Sequence, residues 1–162
     1  MRENNIAYID GANLHRGILS AGWRIDHRRF RVWLSDKYSV QTAYIFLGLI
    51  PKYKELYTKL QEAGFTLVFK EVVYDRNGKA KGNCDADLVL RATRDFYENK
   101  FDKAILVSSD GDYGGMVSFF LEHKKFYVVL SPNNRPDCSV LLRRTGAKIA
   151  YLQDQKKLLS YK

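Results

Sequence analysis

Three short stretches carry the aspartates whose types and spacing could do chemistry together. Asp10 lies in Tyr8-Ile9-Asp10-Gly11-Ala12-Asn13, Asp85 and Asp87 in Cys84-Asp85-Ala86-Asp87-Leu88, and Asp110 and Asp112 in Ser108-Ser109-Asp110-Gly111-Asp112. Taken singly, each has an ordinary reading. An Asp before Gly forms a turn, Asp110-Gly111-Asp112 makes an Asx turn that caps the next helix, and Asp85 and Asp87 are first-turn caps favoured by the helix dipole. Brought together, the same carboxylates would raise one another's pKa. A divalent cation is the natural compensation for such crowding, and an oxygen-only donor set suits the hard ions Mg2+ or Mn2+.

Other chemistries find less support in the sequence. His15 falls one turn after Asp10, within reach of a substrate, whereas His27 and His123 sit in basic stretches and read as solvated, so no zinc site is suggested. No Ser-His-Asp order, nucleophile elbow or Walker loop occurs. The spacing of Gly111, Gly114 and Gly115 is no dinucleotide fingerprint; it reads as backbone that can come close to metal or phosphate. Cys84 and Cys138 are far apart and have no CxxC partner, which favours two thiols over a disulfide.

The elements that must position these carboxylates are legible as an alternation. Continuous apolar runs predict strands at 5–9, 40–50, 65–73, 104–107, 126–130 and 148–151. Helical spacing links Leu14, Ile18 and Leu19. Asp26 caps a helix through Phe30, Trp33 and Leu34 to Tyr38. Pro51 opens another, with Tyr53, Leu56, Tyr57 and Leu60 as its stripe and Gly64 at its end. Further helices are predicted at 84–97, through Leu88, Leu90, Ala92 and Phe96, at 116–121 and at 138–144, with a polar loop at 74–82 and a basic tail. Strands alternating with helices imply a parallel sheet covered on both faces, joined by right-handed crossovers. In such sheets ligands bind beyond the carboxyl ends of the strands. Asp10 and Asp110 follow two of those ends.

With 162 residues and no linker or internal repeat, the chain reads as a single domain over 1–162. Its 27 Lys and Arg against 18 Asp and Glu give a net charge of +9. A surface this basic attracts phosphates or anionic lipids, although surplus lysine also aids solubility. No apolar run approaches the roughly 20 residues needed to cross a bilayer, and the first residues lack the apolar core of a secretion signal. A soluble, cytoplasmic protein without a membrane partner is expected.

Three stretches together resemble the signatures of NYN domains, members of the PIN-like nuclease superfamily: Tyr8-Ile9-Asp10-Gly11-Ala12-Asn13-Leu14, Lys81-Gly82-Asn83-Cys84-Asp85-Ala86-Asp87-Leu88 and Val107-Ser108-Ser109-Asp110-Gly111-Asp112-Tyr113. The resemblance spans about residues 5–144. It implies a Rossmann-like three-layer α/β/α sandwich with a mainly parallel central sheet, and a metal-dependent ribonuclease site. By motif position, Asp10, Asp85, Asp110 and Asp112 resemble the acidic cluster that holds Mg2+ or Mn2+. Asn13 is similar to the residue that orients the first carboxylate or a substrate phosphate, Ser108 matches a small hydroxyl position near the metals, and Lys81 falls where it could contact a phosphate. Asp87 occupies a variable position, and residues two apart on a helix point about 200° apart. Cys84 stands where the family usually has valine. Gly114 and Gly115 replace a larger residue and a proline, which changes the rim of the site more than its chemistry.

The implied partner is RNA, single-stranded, drawn by Arg16, Arg24, Arg28, Arg29, Arg31, Lys79, Lys81, Arg91 and Arg94, with Arg135, Arg143 and Arg144 further on. The run His27-Arg28-Arg29-Phe30-Arg31 also reads simply as a solvated helix face. Tyr74, Tyr113 or Trp23 could stack unpaired bases. PIN-like domains often pair, and Tyr53, Tyr57 or the basic tail could form a homodimer interface, although the sequence demands none. Two alternatives stand beside the nuclease: a catalytically weak RNA-binding or regulatory module of the same fold, and a phosphatase-like enzyme. The latter lacks its Asp-x-Asp pair, because Gly11-Ala12 follow Asp10.

Overall fold

The computed structural model describes residues 2–81 and 83–161. Its elements run β1 (Asn5–Asp10), α1 (Gly11–Ser20), α2 (His27–Tyr38), β2 (Val40–Leu49), α3 (Lys54–Glu62), β3 (Thr66–Glu71), β4 (Val73–Tyr74), β5 (Ala80–Lys81), α4 (Asp85–Tyr97), β6 (Ala104–Val107), α5 (Gly114–Glu122), β7 (Phe126–Ser131), α6 (Val140–Arg143), β8 (Ile149–Tyr151) and α7 (Lys156–Leu159). Six strands form one sheet in the order β3-β2-β1-β6-β7-β8. Every pairing within it is parallel. β4 and β5 form a separate antiparallel ribbon. This is the three-layer α/β/α sandwich with a parallel central sheet.

Strand order reverses at β1. Successive strands step outward on one side from β1 through β2 to β3, and on the other from β6 through β7 to β8. The crevice between β1 and β6 is therefore the topological switch point, where open α/β sheets bind ligands. Ile9 pairs with Val107, so both central strands end at one level and deliver Asp10 and Asp110 to the same edge.

Side-chain alternation along β1 builds the two halves of the core. Ala7 and Ile9 face a cluster containing Leu14 and Ile18 of α1, Phe30 and Leu34 of α2, Leu60 of α3 and Leu159 of α7. Ile6 and Tyr8 face the opposite cluster, with Leu88 and Ala92 of α4, Val117 and Phe120 of α5 and Leu142 of α6. Fully burying one such aliphatic or aromatic side chain contributes about 1.5–3 kcal/mol, so these two layers are what hold the acidic edge in place.

Local signals set the element ends. Asp26 caps α2 by accepting from the Arg28 and Arg29 amides at 3.0 and 3.3 Å. Pro51 begins a 3-10 turn before α3 and Gly64 follows that helix with φ +105°. Leu19 and Leu90, placed in apolar stripes by spacing, are exposed. The segment 74–82, expected as a loop, contributes to the β4–β5 ribbon, and Gly82 itself lies outside the described residues. The strand expected at 148–151 is β8, and the tail after it adds α7, with Ser160 bridging antiparallel to Ile25. Among the described residues no helix is long and apolar enough to cross a membrane.

Candidate metal centre

Each carboxylate at the sheet edge is fixed by its own stretch of chain. Asp10 ends β1 in extended conformation and caps α1, accepting the Asn13 amide at 3.1 Å. The turn needs Gly11, because a Cβ there would stand 2.8 Å from the Phe46 carbonyl oxygen and collide with Leu47. Asp110 caps the 3-10 turn Gly111–Tyr113, accepting the Asp112 amide at 2.9 Å, while its own N–H donates to the Ser108 hydroxyl at 3.1 Å. Asp85 is the first residue of α4, and its N–H donates to Asn83 Oδ1 at 2.8 Å. A helix start stabilises that negative charge.

These three carboxylates converge. One oxygen from each of Asp10, Asp85 and Asp110 lies within 4.8 Å of the others. Asp10 is 7% exposed, the other two half-buried. Burial pushes the Asp10 carboxyl above its ordinary range. The Asn13 amide and the Tyr113 hydroxyl oppose that rise, and the charges of Asp85 and Asp110 add to it. An all-oxygen group of negative charge, one member of which is desolvated and destabilised by its neighbours, is a set of ligands that can hold a divalent cation.

Tyr113 completes the centre. Its ring is wholly buried, and its hydroxyl lies 2.9 Å from Asp85 Oδ1 and 3.1 Å from Asp10 Oδ2, so one phenolic proton is shared between two carboxylates. Burial, and then the charge of Asp10 and the bond to Asp85, push this phenol far above its usual value. It is a permanent donor. Base stacking by Tyr113 or Trp23 is excluded by their burial; of the three aromatics named for that role only Tyr74 is exposed.

The family profile of the NYN domain matches residues 5–146. The chain belongs to the NYN domain family. No curated protein sequence matches it significantly. Among solved structures, it is similar to a protein of unknown function from Vibrio parahaemolyticus RIMD 2210633, with 23% identity, a TM-score of 0.76, and coverage of 94% of this chain and 95% of the other. That likeness speaks for the fold.

The remaining motif residues of this NYN domain take varied places. Asp112 is exposed on the 3-10 turn and lies outside the three-carboxylate group, reaching Asp110 through its backbone amide. Asp87 forms an ion pair with Lys70 at 3.5 Å. Asn13 fixes Asp10 with its backbone, while its side-chain Oδ1 accepts the Ser109 amide at 2.9 Å and ties α1 to the loop after β6. Ser109 in turn donates to Asn133 Oδ1 at 2.7 Å, linking the ends of three strands. Ser108 is buried and serves the Asp110 amide. Lys81 is exposed on β5. Burial and the adjacent carboxylates push the Cys84 thiol up to about 11, so it stays a protonated packing group. Neither cysteine forms a disulfide among the described residues.

Several cations proposed to attract RNA are held by the fold. Arg31 donates to the carbonyls of Gly64, Val40 and Gln41. Arg91 stacks 4.5 Å above the Tyr44 ring, donates to its hydroxyl, and pairs with Asp95. Arg29 pairs with Asp26. Arg16, Arg28, Arg94, Lys79 and Lys81 are exposed. The signal for Tyr113 was its place directly after Asp112; what spacing could not give was the buried direction of its ring.

Proposed function

We propose that this NYN domain is a metal-dependent ribonuclease that hydrolyses phosphodiester bonds in single-stranded RNA. The observation that carries the reading is the meeting of Asp10, Asp85 and Asp110 at the switch point of the sheet, with ligand oxygens mutually within 4.8 Å. Mg2+ or Mn2+ fits this donor set, because both are hard ions that accept a few carboxylates and keep several waters. When bound, such an ion polarises a phosphoryl oxygen and lowers the pKa of a water.

The chain's own residues would do the positioning. Asp10, Asp85 and Asp110 hold the ion; Tyr113 keeps its proton and sets Asp10 and Asp85 in register. Asp112, exposed on the turn, would support the ion through a water rather than as a direct ligand. Ser108 and Asn13 support the loop that presents Asp110, and Lys81, four residues before Asp85, meets a substrate phosphate. The test is degradation of an end-labelled single-stranded RNA in Mn2+. Cleavage is expected to stop with EDTA and in Asp110→Asn, while that variant still binds RNA. A parent that binds RNA without cleaving it would make the domain a regulatory module, and Asp110→Asn cleaving at the parental rate would remove the cluster from the chemistry.

A further inference from the structure

The β4–β5 ribbon is hard to explain as part of the fold. It has two residues in each strand, and a two-stranded hairpin is marginal at best in water. Yet it presents a tyrosine that is 64% exposed beside Val73 at 56%. Among the described residues no ring or cation packs on Tyr74, and its cross-strand partner is Ala80, which leaves a face of the ring uncovered. The turn at its tip is nonetheless specifically built. Asp75 Oδ1 accepts the Asn77 and Lys79 amides at 2.9 Å each, its own N–H donates to the Lys79 carbonyl, and Gly78 takes φ +74°. The one acid of the tip is thus engaged by the backbone. Arg76, Lys79 and Lys81 are exposed and enter no ion pair among the described residues. Lys70, just before the ribbon, is already paired with Asp87.

We infer that this ribbon is a grip for the single strand that reaches the acidic centre, with Tyr74 stacking an unpaired base and Arg76, Lys79 and Lys81 meeting phosphates. The inference rests on the ribonuclease reading. Exposed aromatics interleaved with cations are how single strands are held without regard to sequence, the ring taking any base face and the cations following the backbone. In a duplex both faces of each base are occupied by its neighbours, so the ring favours unpaired RNA. Connectivity sets the reach. Lys81 lies four residues before Asp85, so their Cα atoms are at most ~14 Å apart, the rise of roughly four stacked nucleotides at ~3.4 Å each. A strand of roughly four nucleotides therefore suffices to reach from the centre to Lys81, whereas a diester with a single phosphate at the centre leaves the ribbon unused.

The intact protein tests this with three substrates: bis(p-nitrophenyl) phosphate, which meets only the centre, a uridine 12-mer, and a blunt RNA duplex. Binding is read by fluorescence anisotropy in EDTA and turnover in Mn2+. Tyr74→Ala is expected to weaken 12-mer binding about 5- to 150-fold, Tyr74→Phe to restore it, and neither to change hydrolysis of the small diester. The triple variant Arg76→Ala, Lys79→Ala, Lys81→Ala should flatten the slope of log affinity against log salt by up to ~2, at about 0.7 per phosphate contact on a single strand. Parental 12-mer affinity in both variants overturns the inference, as does a parent that binds no RNA or binds the duplex as tightly as the single strand. A parent that hydrolyses none of the three substrates but loses 12-mer binding in Tyr74→Ala would overturn the nuclease and leave the grip standing.

Discussion

Asp10→Asn should make the metal-free protein more stable, although it removes a ligand. The amide keeps the shape of the carboxylate; its Oδ1 still accepts the Asn13 amide, and its Nδ2 donates to the Tyr113 oxygen, whose proton then goes wholly to Asp85. What disappears is repulsion. At the outer limit of 4.8 Å a pair of like charges costs roughly 0.9 kcal/mol at a dielectric of about 80 and roughly 3.5 kcal/mol at about 20. Two such pairs end at Asp10, which brackets the relief at about 2–7 kcal/mol. Water around the half-buried partners keeps it near the lower end. In EDTA the variant should then melt about 4–8 °C above the parent, at ~2–4 °C per kcal/mol for a chain of this size. Mn2+ at a hundred times its Kd stabilises the parent by about 2.7 kcal/mol and should barely move the variant, so the order of the two proteins closes or reverses. Thermal unfolding followed by circular dichroism, with EDTA and with Mn2+, reads both effects. A variant melting below the parent in EDTA, or gaining as much from Mn2+, would refute the cage.

Tyr113→Phe removes the one proton that Asp10 and Asp85 share; metal-free stability should fall by roughly 1.5–3 kcal/mol, read by urea unfolding in EDTA, and Mn2+ affinity should fall with it in calorimetry. His27, read from the sequence as solvated, is half-buried in the structure and gives a pH signature of its own. Burial lowers its pKa, with His15 adding to the fall and Asp26 opposing it, so the unfolded chain takes up the proton more readily. Stability is fully present above the ordinary value of about 6.5 and is lost as pH falls through the lowered folded value. His27→Gln should flatten that loss, and equal slopes for both proteins between pH 7 and 5 would count against it.

Much of this was readable before any coordinates because parallel sheets repeat a simple rule. Apolar runs such as 104–107 are buried on both faces, and the residues just past them must stand at the carboxyl edge, so Asp10 and Asp110 could be assigned to one rim. Caps worked for a similar reason: Asp26 and Pro51 act within one turn of themselves. What failed was decided by distant partners. Leu90 stands two residues from both Leu88 and Ala92 and so points to the opposite side of α4, and Leu19 is turned about 100° past Ile18, which leaves both exposed. Arg31 and Arg91 look like free cations until Gly64 and Tyr44 are folded against them. The β4–β5 ribbon is too short to have a period, and Tyr113 declares its role only once α4 brings Asp85 to it.

The family profile matches residues 5–146, but the architecture runs further. Leu152 and Leu159 are wholly buried against α1 and α2, β8 covers the outer side of β7, and Ser160 is stitched to Ile25. The stretch that the family profile matches is thus shorter than the unit that folds. A fragment trimmed to the shared region would open a hole in one hydrophobic layer and bare the rim of the sheet to other chains, so any graft of this centre onto another scaffold must carry its closing clasp along.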